Sequence, residues 1–503
     1  MDLTNTPSKK KLRLSNKTLV RISAPEVAKP GIEYQNLPVK VLQFGTGVLL
    51  RGLIDHVIDK ANRNRVFNGR IAVVKSTGRG NLDVFVEQNN LYTLLIRGIE
   101  NKQSVEQAVI NSAISEVLSV KGEWELVLKE AENPNLKIII SNTTEVGIQL
   151  FNESIDQHPP VSFPAKLLAV LYHRYKFYNG SEASGLVIVP TELLPNNGAV
   201  LKSIIMELIH YNSLNSDFAN WVNNNNFFCS SLVDKIVTGR PSDEERQIFE
   251  DKNGYTDELL IVAEPYCLWA IEGNDVVKAI LSFEQIDEGV IVIPDITVHR
   301  ELKLGLLNGV HTLSCAIALI NNFDFVNAAV NDSRFSVFLQ NLMAEIKSAI
   351  LCDVDSKVAS DFSDKVLDRF KNPFINHQWT AISQQYTTKI ITRVLPVLKK
   401  HYELYNSVPK NIAKGFAGYL FLMSKIKVKN DNYYIQLKGL KYSYSDEKAQ
   451  NIYEKIKTAS LATVATLVLS SADIWGEDLN RFPKFTRSVQ NYLNKMVNGD
   501  RII

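Results

Sequence analysis

Three polar residues of catalytic type interrupt an otherwise apolar run, Glu301-Leu302-Lys303-Leu304-Gly305-Leu306-Leu307-Asn308-Gly309-Val310-His311-Thr312. A lysine can move a proton; an asparagine and a histidine can hold an oxygen that gains negative charge. The spacing is helical: eight residues rise about 12 Å, and Lys303 and His311 fall about 80° apart around the axis. Asn308 sits three residues before His311 on a neighbouring ridge. Helical side chains lean toward the N-terminus, so one small polar group of a ligand lies within reach of all three. The bland alternative is a snorkelling lysine and a satisfied core histidine on a buried helix.

Such a trio acts only if other elements hold a second reactant. Residues 39–44 read as a buried strand that runs into Gly45-Thr46-Gly47 and then a helical pattern over 48–58. This is the strand–glycine turn–helix order of a dinucleotide-binding unit. Gly45 allows the tight turn, Gly47 lets the backbone approach a pyrophosphate, and the helix start supplies free N–H groups. Phe44, Gly45, Thr46, Gly47 and Val48 are the candidate cofactor contacts. The third glycine of GxGxxG is missing: Leu50 holds its position and Gly52 comes two later. The next strand, from Arg70, ends in Lys75-Ser76-Thr77-Gly78 without the acid that would hold the ribose hydroxyls, which leaves NAD and NADP open at that position. A strand over 135–140 leads into Ser141-Asn142-Thr143-Thr144-Glu145, placing Asn142 and Thr143 where an open α/β sheet binds ligands.

Further strands are expected over 92–97 and 185–190, and helices over 164–178 and 199–211. Asp234 and Glu264 each stand alone among apolar neighbours; an ion pair inside the fold is the ordinary outcome for such acids. Strand–helix alternation stops near Pro294, and the chain is then almost wholly helical to about Leu422, with a possible hairpin near 433–440. The expected architecture is α/β: a mobile lead-in over 1–35, a Rossmann-type doubly wound sheet domain over 36–294, and a mainly α-helical catalytic domain over 295–503.

The totals narrow the function classes. The 503 residues are 45% hydrophobic and 22% charged, as in a soluble globular protein, and a net charge of +2 gives no electrostatic reason to expect nucleic acid. Cys229, Cys267, Cys315 and Cys352 are scattered without a CxxC pair, so neither a metal site nor a disulfide framework is expected, and a reducing, cytoplasmic setting fits. No apolar segment follows Lys9-Lys10-Lys11, and no uninterrupted apolar run reaches bilayer length, so no membrane is expected as a partner. The oligomeric state is open.

In this order, the pieces resemble the mannitol dehydrogenase family of polyol-specific long-chain dehydrogenases, and within it the tagaturonate-reducing branch. The resemblance runs from about Leu37 through the helical half. It rests on the pattern Lys-x4-Asn-x2-His met by Lys303, Asn308 and His311, and on Gly45-Thr46-Gly47. Three more motifs support it: Ser231-Leu232-Val233-Asp234-Lys235-Ile236, Glu264-Pro265-Tyr266 and Arg369-Phe370-Lys371-Asn372-Pro373. It implies a Rossmann domain for NAD(H), a helical domain carrying the lysine, and no catalytic metal. By the same resemblance Lys303 is the general acid/base, and Asn308 with His311 holds the reacting oxygen. A free lysine titrates near about 10.4, so base work would require a lowered pKa.

Two departures separate the chain from mannitol dehydrogenases. Leu193, preceded by Glu192, stands where those enzymes place an asparagine near the reacting oxygen. His377 follows Asn372-Pro373 where polyol enzymes often carry an acid. Candidate substrate contacts are Glu192, Asp234, His377, Lys389 and Arg393. The last three suit a carboxylate, although an i,i+4 basic pair is usually a solvated face. The resemblance implies a small sugar acid as partner and NADH-dependent reduction of D-tagaturonate to D-altronate in hexuronate breakdown. Fructuronate reduction, mannitol-type polyol oxidation, and a non-catalytic nucleotide-binding regulator on the same fold are the other readings.

Overall fold

The computed structural model describes residues 11–76, 82–143, 147–350, 354–430, 432–437, 439–460, 462–500 and 502–503. Thr77, Gly78, Thr144, Glu145 and Cys352 lie outside the described residues. The chain forms two compact units, Met1–Arg97 with Ser104–Ile296, and Gly98–Gln103 with Thr297–Ile503.

The first unit is built on six parallel strands: β1 (Val39–Phe44), β2 (Arg70–Lys75), β3 (Ile114–Ser119), β4 (Ile138–Ser141), β5 (Val187–Pro190) and β6 (Phe227–Phe228). Their order across the sheet is β6-β5-β4-β1-β2-β3, the doubly wound Rossmann order. The apolar runs of these strands follow from burial on both faces. Side chains alternate between faces. Leu42, Phe44, Ala72, Val74, Ile139 and Ile188 enter one apolar cluster, while Val41, Ile71, Val73, Ile138, Ile140 and Val187 enter another. The expected strand over 92–97 is longer, Tyr92–Glu100, and belongs to a separate five-stranded sheet beside Gln103–Asn111.

The expected lead-in is packed from Lys11 onward. Leu12–Arg13 pairs with Tyr255–Thr256, and Leu14, Leu19, Ile22 and Val27 are buried with Tyr255 and Leu260 in a small core of their own. Charged and polar residues in the opening sequence concealed this apolar spacing.

The second unit is helical around one large core, with a three-stranded antiparallel sheet over Ile426–Lys429, Asn432–Leu437 and Leu440–Ser443 where a hairpin was expected. The helical run Thr297–Ile320 is long and apolar enough to cross a membrane, a property masked in the sequence by Glu301 and Lys303. Its most apolar window is 83% buried in the protein, which accounts for it as a core helix.

Candidate active site

In the first unit, the chain reverses its direction across the sheet between β1 and β4, the switch point at which open α/β sheets bind ligands. Both expected groups of cofactor residues converge there. Phe44 pairs in register with Ser141, and the Asn142 N–H donates to the Phe44 carbonyl at 3.1 Å. Gly45 has φ +134, and a Cβ on it would meet Leu50 Cδ1 at 2.8 Å and the Asn142 carbonyl oxygen at 3.1 Å. Only glycine fits that turn. Around Gly47, which precedes helix α1 (Val48–Gly52), a Cβ would meet nothing within 4 Å. A sharp turn, an open approach and the N–H groups at a helix start suit a dinucleotide pyrophosphate.

Phe44 contributes main chain only, because its ring is buried edge-on against Phe163 at 5.3 Å. The displaced third glycine also finds its reason. Helix α1 breaks at Leu53 before α2 (Ile54–Arg63), and a Cβ on Gly52 would meet Val237 Cγ2 at 2.6 Å. Gly52 thus supplies the close helix–strand packing, while Leu50 is buried against Gly45.

Glu192 belongs with this turn. It is buried and accepts from Ser141 Oγ at 3.1 Å, from the Thr143 N–H at 2.8 Å and from Thr143 Oγ1 at 3.0 Å. Expected as a substrate contact, its carboxylate is instead spent on positioning the Ser141–Thr143 loop. Asn142 Nδ2 donates to Thr191 Oγ1 at 3.0 Å, completing the loop's attachment. Glu264, the other lone acid, receives the Ile236 N–H at 2.6 Å. Asp234 ends the strand Ser231–Asp234, paired antiparallel with Leu268–Glu272.

In the second unit, the opening trio departs from the helix expected for it. Thr297–Leu302 is α-helical, Lys303–Gly309 is a π-helix, and Val310–Ile320 is α-helical again. In an α-helix Lys303 and Asn308, five residues apart, would point about 140° away from each other. The i→i+5 bonding of a π-helix widens the turn and swings residues five apart toward one face. The spacing of five between Lys303 and Asn308 therefore turns these two toward one face, which the expected α-helix would not do. Thr312 Oγ1 donates to the Asn308 carbonyl at 2.7 Å. At Gly309 a Cβ would lie 3.2 Å from the Leu304 carbonyl oxygen, a tight approach within the same segment. Lys303 is buried.

His311 stacks on Phe370 with ring centroids 4.0 Å apart, and meets His377 edge-on at 5.2 Å and Trp379 at 5.9 Å. Its Nε2 is buried without a hydrogen-bond partner among the described residues. Burial, then the fields of His377, Arg369, Arg393 and Lys389, push its pKa well below the ordinary value. The ring is therefore neutral near pH 7, held flat, with Nε2 unused. His377 and Lys389 are themselves pushed down, chiefly by burial and then by neighbouring cations. Lys389 Nζ donates to the Ile382 carbonyl at 2.8 Å.

His377, Lys389 and Arg393 thus gather around His311 rather than forming a solvated face. Arg369 joins them. It is buried at the end of the helix Ser356–Lys371 and was not singled out as a contact, although it opens the motif before Asn372-Pro373. Among the described residues no group of His, Cys, Asp and Glu could hold a metal ion.

Comparison with known proteins matches both units. Residues 39–285 fit the model of the mannitol dehydrogenase Rossmann domain, and residues 295–497 that of the mannitol dehydrogenase C-terminal domain. The altronate oxidoreductase of Bacillus subtilis (strain 168) is 34% identical over 465 residues, 92% of this chain and 93% of that protein. That of Escherichia coli O7:K1 (strain IAI39 / ExPEC) is 31% identical over 477 residues, 93% of this chain and 96% of the relative. Among solved structures, a D-sorbitol dehydrogenase in substrate-free form matches with TM-score 0.78 at 19% identity, covering 97% of this chain and 98% of that one. Mannitol 2-dehydrogenase of Pseudomonas fluorescens, in a ternary complex with NAD and D-mannitol, matches with TM-score 0.72 at 19% identity, covering 97% of both chains. The chain belongs to the mannitol dehydrogenase family and is an oxidoreductase of the CH–OH group.

Proposed function

We propose that this protein catalyses D-tagaturonate + NADH + H⁺ ⇌ D-altronate + NAD⁺. The observation that carries the choice of a sugar acid is the cationic wall around His311. Arg369, Lys389 and Arg393 place fixed positive charge beside a neutral histidine. A substrate carboxylate would be attracted by that charge, and a planar guanidinium can grip it with two parallel bonds. The names of the relatives, altronate oxidoreductases, point the same way.

The dinucleotide, when bound, supplies or accepts the hydride. Gly45, Thr46, Gly47 and Val48 would cradle its pyrophosphate, with Asn142 and Thr143 beside them on the loop that Glu192 anchors. NAD(H) is proposed over NADP(H) on the family resemblance and on the NAD in the Pseudomonas fluorescens complex.

Reduction of a ketone builds negative charge on its oxygen. Asn308 Nδ2 and the unpartnered His311 Nε2 would donate to that oxygen, and Lys303 would deliver the proton to it. In the reverse direction a neutral Lys303 would take the alcohol proton. His311 stays neutral as the pH falls toward 6, because its folded pKa lies below the ordinary value, so its donor role persists across the neutral range. Following NADH absorbance with D-tagaturonate, D-fructuronate and D-fructose tests the reading. The fastest oxidation is expected with D-tagaturonate, and NADPH should serve less well. D-fructose as the preferred substrate would overturn the sugar-acid reading, and no turnover with any of the three would favour a regulator.

A further inference from the structure

Tyr386 opens the helix Tyr386–Arg393 and is fully buried. Its hydroxyl reaches the run of Lys303, Asn308 and His311 just past the histidine. It donates to the Thr312 carbonyl at 2.7 Å and accepts from the Ala316 N–H at 3.1 Å. Those two groups are the i and i+4 partners that an α-helix joins directly. One side chain thus bridges a turn of the helix Val310–Ile320, which carries His311. Thr312 is in turn tied to the π-helical segment, since its Oγ1 donates to the Asn308 carbonyl. A phenol suits this place because one oxygen can both donate and accept. Burial, the largest cause, pushes the Tyr386 pKa well above the ordinary value, so the donor is present throughout the neutral range.

The same helix carries part of the cationic wall. Tyr386, Lys389 and Arg393 stand at i, i+3 and i+7 and share one face. The helix lies back along the run. Tyr386 meets Thr312 and Ala316 at its start, and at its end the Arg393 carbonyl oxygen lies 3.5 Å from where a Cβ on Gly309 would stand. Its start is also fixed from the side of the small sheet. Asp446, in the loop after the strand Leu440–Ser443, accepts from the Thr387 N–H at 2.8 Å, from Thr387 Oγ1 at 2.9 Å and from the Tyr444 hydroxyl at 2.8 Å. The Gln385 N–H donates to the Ser445 carbonyl at 2.7 Å. The Tyr386 ring meets Tyr419 edge-on at 5.1 Å, and the Tyr419 hydroxyl lies 2.8 Å from Thr387 Oγ1. Tyr386 is therefore a fixed post against which the His311 helix is set.

We propose that Tyr386 is a positioning residue: by bridging Thr312 and Ala316 it sets the His311 helix in register with Lys389 and Arg393, so that a substrate's reacting oxygen and its carboxylate are met together. A sugar acid must satisfy both places at once, whereas a neutral ketose needs only the first. A small misplacement of one place relative to the other thus penalises the sugar acid alone. The inference rests on reading the cationic wall as the carboxylate site.

Tyr386→Phe tests it. The ring and its edge contact with Tyr419 remain, and the Thr312 carbonyl and the Ala316 N–H can pair with each other in the ordinary helical way, so the melting temperature should stay within about 4 °C of the wild type. The kcat/KM for D-tagaturonate should fall about threefold to tenfold, the scale of one hydrogen bond, while that for D-fructose stays where it was. Tyr419→Phe removes a hydroxyl bonded to the same helix start without touching the Thr312 turn, and should leave both values unchanged. Unchanged values in Tyr386→Phe would overturn the proposal. An equal loss on both substrates would do the same, since it would make the bridge a matter of folding alone. A drop in the ratio in Tyr419→Phe as large as that in Tyr386→Phe would also overturn it. A wild type that reduces D-fructose as well as D-tagaturonate would instead remove the sugar-acid reading itself.

Discussion

Lys303→Ala should lower kcat for D-tagaturonate reduction by about 10³, within the 10²–10⁴ typical of a positioned general acid. The Kd for NADH should be unchanged, because the proposed cradle is formed by residues of the other unit, at Gly45–Val48 and Asn142–Thr143. Lys303 is a buried member of the π-helical segment, so its replacement removes a proton donor and leaves space of its own size beside the proposed reacting oxygen. A small primary amine added to the variant should restore part of the lost rate in proportion to its concentration. Steady-state rates with and without the amine, together with NADH titration, check both halves. Near wild-type turnover in Lys303→Ala would remove the lysine from the mechanism.

Asn308→Ala should cost about 10²–10³ in kcat, the usual loss on removing one donor from an oxyanion site, and should not be rescued by amines. The effect is smaller than that of Lys303→Ala because His311 still donates from its unpartnered Nε2, which stacking on Phe370 keeps in place. A substrate isotope effect measured with deuterated NADH would rise in this variant if reduction of the carbonyl becomes the slow step. Loss of rate confined to KM would argue that Asn308 only binds substrate.

Much of the first unit was legible because its strands are buried on both faces, and a run such as Val39–Phe44 announces such a strand without help from the rest of the chain. The glycine turn was legible for the same reason, since Gly45 and Gly47 answer local demands on the backbone. Other features depend on partners distant in sequence. Nothing near Glu192 says that its carboxylate will be used up by Ser141 and Thr143, about fifty residues away, so it reads as a free acid. Gly52 looks like a misplaced third glycine until Val237 arrives to pack on it. The π-helix is invisible to periodicity because seven residues are too few to distinguish its wider turn from an α-helical one. Arg369, Lys389 and Arg393 come from two different helices, and only the fold turns them toward one histidine.

That gathering is where a polyol site is argued to become a sugar-acid site, and it can be tested by removing charge rather than chemistry. The measurement is the ratio of kcat/KM for D-tagaturonate to kcat/KM for D-fructose, in the wild type and in Lys389→Met/Arg393→Met. Hydrogen bonds to a charged group contribute about 1.5–3 kcal/mol each. The ratio should therefore fall by at least about 10–100-fold, with the fructose rate little changed. An equal loss on both substrates, leaving the ratio where it was, would contradict the account.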